Sequence, residues 1–214
     1  MAKNTDVLIA TLVDELRPVR VLQQRNGMAR SAMALVAGAV IMALGFGVRH
    51  DLADGRPDPT FLISAGLFLV LALASAWAAV DMARPYVGTR REGWGWTALM
   101  AGVLPVSALV LAFADWLRGK GLTLDRDGMS CVGFGITIGL LTATTLVIWL
   151  RRGAPSRPKR AALMTGVAAG AAGIFAVSIY CPHSDLVHIG IWHGATVIVM
   201  GLAGRILLPR LLAW

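Results

Sequence analysis

VGFGITIGLLTATTLVIWL (residues 132–150), RRGAPSRPKR (151–160) and AALMTGVAAGAAGIFAVSIY (161–180) follow one another directly: two apolar runs close around a short block of positive charge. Each run has about the 20 residues that an α-helix needs to cross a hydrocarbon core. The connector is broken by Pro155 and Pro158 and carries Arg151, Arg152, Arg157, Lys159 and Arg160. A short loop so rich in arginine and lysine stays on the cytoplasmic side. Outward from this hairpin lie four more runs of similar length, at 31–48, 60–80, 96–114 and 187–208. If the loops alternate sides, 15 of the 20 Lys and Arg fall on the side of the N-terminus. The other side keeps Arg49, Arg56, Arg118, Lys120 and Arg126. The pattern predicts an all-α polytopic bundle of six transmembrane helices, with both termini cytoplasmic.

Composition leaves little room for another class. Apolar side chains make up 57% of the 214 residues and charged ones 15%, with a mean hydropathy of +0.68. Backbone polar groups must be satisfied internally in lipid, and helices do this within one segment. The pI near 10.7 comes from bases spread along the membrane flanks, not from one patch, which argues against direct nucleic-acid binding. Residues 1–30 carry Asp6, Asp14 and Glu15 and lack an early apolar core, so they read as a retained cytoplasmic arm and not as a cleaved signal peptide. Residues 31–214 form the membrane domain. Within it, Gly135-x3-Gly139, Gly166-x3-Gly170 and Gly190-x3-Gly194 have the spacing that lets helix backbones approach closely. Pro105 predicts a kink in the third span, and Trp94, Trp96, Trp116, Trp149 and Trp192 stand near span ends, where tryptophan anchors at the interface.

The arm has its own pattern. Leu8, Ile9, Leu12, Val13 and Leu16 recur at i, i+1, i+4, i+5 and i+8, an apolar stripe on one helical face, while Asp14, Glu15 and Arg17 lie largely off it. Pro18 ends or bends the helix, and Val19 and Leu22 extend the apolar surface beyond it. Such a helix either lies on the lipid surface or docks onto a cytoplasmic partner.

Chemistry is sparse. Ionisable groups avoid the middle of the spans, there is no sign of duplicated halves, and no hydrolytic or phosphate-binding motif is present. Those gaps weigh against a metal-ion transporter and against an enzyme. A membrane thiol-redox enzyme would need a second dithiol pair, and the chain has two cysteines in all. What remains is Cys131, at the start of the fourth run, and the sequence Cys181-Pro182-His183-Ser184-Asp185-Leu186-Val187-His188, continuing to Trp192-His193. The alternating topology puts both cysteines on the outer side. Thiols with imidazoles suit a soft or borderline metal, with Cys131, Cys181, His183, Asp185, His188 and His193 as candidate ligands. A disulfide or thiol switch between the cysteines, or plain hydrogen bonding within the bundle, fits the same residues. On a regular helix Asp185, His188 and Trp192 share one face and His193 points elsewhere.

The arm DVLIATLVDELRPV (6–19), the six spans, and the run CPHSDLVHIGIWHG (181–194) leading to Arg210-Leu-Leu-Ala-Trp214 resemble the NrsF-like multipass anti-sigma factors of bacteria. The resemblance implies an inner-membrane protein that holds an extracytoplasmic-function sigma factor of the sigma-F kind and releases it under stress. Heavy metals and oxidants are the signals it implies, with any metal ion a transient guest and no resident cofactor. Cys131 and Cys181 match the two outward cysteines of the family. The sigma-contacting element would be the arm, through Leu8, Leu12, Leu16, Pro18 and Val19.

Overall fold

The computed structural model describes residues 2–15, 22–84, 102–103, 106–107, 109–110, 112–114, 116–118, 128–153 and 155–212. Those residues are helical apart from turns and short connections, with no strand among them. Helix α1 spans Ala2–Asp14, α2 Gln24–Phe46, α3 His50–Ala53 and α4 Pro59–Asp81. Then come α5 (Gly128–Arg151), α6 (Pro158–Ser178), the short α7 (Leu186–His188), a π-helical turn (Ile189–His193), α8 (Gly194–Leu207) and α9 (Pro209–Leu212). Five segments are long and apolar enough to cross a membrane: α2, α4, α5, α6 and the run Leu186–Leu207. Of the expected third span, 96–114, residues 102–103, 106–107, 109–110 and 112–114 are described and helical, and the other positions lie outside the described residues.

Large apolar side chains also cover the outside of the bundle, among them Leu44, Ile63, Val70, Leu140, Ile198 and Ile206. A surface of that kind fits a hydrocarbon solvent and not water. The first long helix starts at Gln24, so residues 24–30 run on into it, ahead of the expected start at 31. Asp58 starts α4 by accepting hydrogen bonds from the backbone N–H groups of Thr60 and Phe61, with Pro59 at the first helical position.

Helix α6 is the axis. It packs most extensively against α8, α5 and α4, and 89% of its apolar window is buried, against 28% for α2 and for α5. Its sequence explains this, because alanine and glycine make up most of the positions between Ala161 and Ala176. A Cβ on Gly173 would stand 2.0 Å from the carbonyl oxygen of Gly135 in α5, and one on Gly166 2.1 Å from that of Met200 in α8. Helix backbones are therefore in direct contact on two sides of α6.

The bundle has two distinct ends. At one, Phe46 meets Phe134 and Tyr180, and the Arg49 N–H donates to the Ile179 carbonyl; this is the cysteine end. At the other, Gly27 lies against Trp149 and Val80, and Arg30 sits over the Trp149 ring at 5.7 Å. Trp149 stands near a span end as expected, but it is buried in the bundle instead of facing the interface.

Close backbone contact makes a clear prediction. Gly173→Ala should destabilise the protein by about 1–3 kcal/mol, as overpacking of a tight interior does. Gly45→Ala meets no atom within 4 Å and should be neutral. Thermal unfolding of both variants in detergent measures the difference; equal midpoints would mean that α5 and α6 can separate freely.

Candidate thiol–imidazole centre

Cys131 sits in the first turn of α5, and the N-terminus of that helix is covered by Trp192, whose ring occupies the space beside Gly128. Cys181 lies just past α6, where its N–H still donates to the Val177 carbonyl. Pro182 lets the chain leave the helical path, and Asp185 restarts it: its carboxylate accepts from the His188 N–H at 3.0 Å. The next turn departs from α geometry. On an α-helix a residue five positions on lies about 140° around the axis. The wider turn from Ile189 to His193 closes that gap, so His193 joins His188 on the side facing the thiols.

The result is a compact set of donors. The Cys131 thiol donates to the Cys181 sulfur at 3.7 Å, and Cys181 Sγ lies 3.7 Å from His188 Nε2. One ligand atom each from Cys131, Cys181, His188 and His193 falls within 4.8 Å of the other three, and all four residues are buried. The hydrogen bond from Cys131 is the largest cause holding the Cys181 thiol below the usual range; burial works against it, and His188 and His193 lower it further. Neither ring nitrogen of His193 has a hydrogen-bond partner among the described residues, although the side chain is only 2% exposed.

Neighbours hold this centre in place. His183 stacks on His188 with ring centroids 4.5 Å apart, and His188 meets His193 edge-on at 5.4 Å. Phe68 of α4 lies 6.1 Å from His193. Arg49 is buried over the Phe61 ring, donates to Ser184 Oγ at 2.7 Å and forms an ion pair with Asp51. Its guanidinium, then the Asp58 N–H, keep the Asp51 carboxyl below the ordinary carboxylate range. A lowered acid pKa contributes its stability above the ordinary value, so the clamp holds at neutral pH and is lost only as the pH falls through the lowered one. A small cleft lined by Arg49, Phe61, Ser64, His183 and His193 reaches Cys181.

Of the six candidate ligands, the structure brings Cys131, Cys181, His188 and His193 together. His183 serves as a stacking neighbour, and Asp185 commits a carboxylate oxygen to its cap. The Trp192 ring lies beside Gly128. The contribution of Arg49 was not read from the sequence; nothing in its local pattern signals a partner 135 positions away. In the arm, Leu8 and Leu12 are exposed at 58% and 55% on α1, whereas Leu16, Pro18 and Val19 lie outside the described residues.

Two thiols in contact can close a disulfide when their Cα atoms lie within about 7 Å. Mild oxidation of the reduced chain should therefore block both cysteines from maleimide without producing dimers. Cys131→Ser and Cys181→Ser should each keep one maleimide-reactive thiol after denaturation; persistent labelling of oxidised wild type would separate the two sulfurs.

Residues 12–214 match the family described as negative regulator of sigma F. The chain is 28% identical over 195 residues to a protein of Azospira oryzae named "Probable anti-sigma-F factor NrsF", covering 86% of this chain and 89% of that one. It is 29% identical over 191 residues to the "Anti-sigma-F factor NrsF" of Caulobacter vibrioides, covering 85% and 88%. No solved structure matches it.

Proposed function

Because the chain belongs to the NrsF family, the negative regulators of sigma F, we propose that it is an inner-membrane anti-sigma factor: it holds an extracytoplasmic-function sigma factor through its N-terminal arm and releases it when an envelope signal, heavy metal or oxidant, alters Cys131 and Cys181. The observation that carries the sensing half is the 3.7 Å contact between the two buried thiols, which ties the start of α5 to the end of α6. Any chemistry that changes this tie changes how helices pack. The family points to a regulatory role and not to catalysis.

The charge pattern supports the orientation, with the cysteine end outside and both termini in the cytoplasm. The course of the chain supports a sixth span. Helix α4 ends beside the Trp149 end, where a Cβ on Gly153 would touch the Ala83 carbonyl, while α5 begins at the cysteine end. The apolar run 96–114 is the segment we assign to a span between those two ends. Reporter fusions after residues 55, 123 and 184 should score external, and those at 88, 156 and 214 internal. An internal signal at 123 would remove the sixth span.

Val7, Leu8, Ile9, Leu12 and Val13 make α1 an apolar surface open to a partner. Burying a leucine stabilises a contact by about 1.5–3 kcal/mol. Losing two should weaken sigma binding at least about 100-fold. The double variant Leu8→Asp, Leu12→Asp is expected to insert into the membrane normally and to lose co-purification of the sigma factor. Retention at the wild-type level would assign α1 to the lipid surface.

A further inference from the structure

We propose that Cys131, Cys181, His188 and His193 are the four protein ligands of one divalent cation of the zinc and cadmium class, bound at the outer end of the bundle. The proposal deepens the reading of the thiol pair as the input, and it rests on that reading for its consequence in sigma-factor release.

Distance is the first support. Zinc holds thiolate sulfur at about 2.3 Å and imidazole nitrogen at about 2.0–2.1 Å, so two sulfurs on one tetrahedral ion stand about 3.8 Å apart and a sulfur and a nitrogen about 3.5 Å. The chain places sulfur 3.7 Å from sulfur, and Cys181 sulfur 3.7 Å from His188 Nε2. The widest separation within the set, 4.8 Å, has to close by about 1 Å.

The histidines are the second support, because a disulfide would make no use of them. His193 is enclosed with both ring nitrogens short of a hydrogen-bond partner, and the π turn aims it at the thiols. Buried polar atoms in a folded chain are ordinarily satisfied, and a ligated ion would satisfy this one. The donor set is the third support. It has two sulfurs, two nitrogens and no oxygen, which suits zinc or cadmium and excludes a preference for magnesium or calcium. Two thiolates also balance a dication, leaving a neutral cluster that tolerates burial. Since His193 reaches the ion only through the π turn, occupancy fixes the register of α8, which runs to the opposite end of the bundle.

The test uses the full chain in detergent, reduced and stripped of metal, titrated with Co2+. One ion per chain should bind, with sulfur-to-cobalt charge transfer and the intense ligand-field bands of a tetrahedral site, and Zn2+ or Cd2+ should displace it. His188→Ala and His193→Ala should each weaken Co2+ binding at least tenfold, a loss typical of a disturbed metal shell, and alter the bands. Lys159→Ala, exposed at the start of α6 at the opposite end of the bundle, should change neither. X-ray absorption of the wild-type complex reads the shell without any substitution and should give two sulfurs and two nitrogens, matching the donor set. Absence of Co2+ binding, a shell rich in oxygen, or unchanged bands in both histidine variants would overturn the proposal. If it falls while Cys131→Ser and Cys181→Ser still abolish oxidant-driven release of the sigma factor, the thiol reading stands alone. If the tetrahedral site is present in a chain that never retains a sigma factor, the site stands and the anti-sigma reading falls.

Discussion

Contact between helix backbones along α6 is what the rest of the structure depends on. In lipid, apolar side chains gain little by leaving their solvent, so helices hold together through close packing and internal hydrogen bonds. Gly173 and Gly166 remove the side chains that would keep α5 and α8 away, and the neighbouring carbonyls fill the space. Polar side chains on the same helix close locally: Thr165 and Ser178 donate to the carbonyls four residues back, at Ala161 and Ile174. The axis is thus dense and its polar side chains are satisfied locally, and the outer faces of α2, α4, α5 and α8 are left free to carry large apolar groups.

The thiol–imidazole centre inherits its geometry from that axis. Cys131 stands one turn before Gly135, which touches Ile174 and Thr196, and Cys181 follows the end of α6 directly. Close approach of α5 to α6 therefore fixes one sulfur relative to the other before any local chemistry acts. The histidines arrive by a separate device. A π turn is a departure from the preferred helical hydrogen-bond pattern, and such turns recur at functional sites. Here it places an imidazole with unsatisfied nitrogens beside two thiols, an arrangement that packing alone would not favour. Arg49 and Asp51 brace the far side, so the centre is buried yet close to a polar loop.

The input and output proposed for this protein lie at opposite ends of the bundle. The thiols join the start of α5 to the end of α6, and both helices run on to the Trp149 end. There Trp149 packs with Gly27 and Val80, close to the start of α2 and so to the connection from the arm. A change at the cysteine end has rigid elements along which to be felt. Coupling of about 1–3 kcal/mol between such ends corresponds to a change of roughly 5–150-fold in affinity.

Hydropathy and charge alone identified the long helices. The expected limits 60–80, 132–150 and 161–180 lie within a few residues of α4, α5 and α6, because length and polarity are what a bilayer selects. The same measures also singled out the amphipathic arm, Cys131, and the run 181–193 with Cys181 and three of the four histidines. They began the first span at residue 31 instead of Gln24, since a polar first stretch looks like a flank until Arg30 is seen lying on Trp149. They left the two cysteines open among disulfide, metal and packing, because sequence separation says nothing about distance. They counted His193 among the candidate ligands but put it off the face of Asp185 and His188, because a regular 3.6-residue turn was assumed where the chain makes a wider one. Periodicity and charge are local properties and can be read along the chain. Meeting of Cys131 with Cys181, the π turn that adds His193, and the hold of Arg49 on Ser184 come from packing between segments far apart, and only the tertiary structure could decide them.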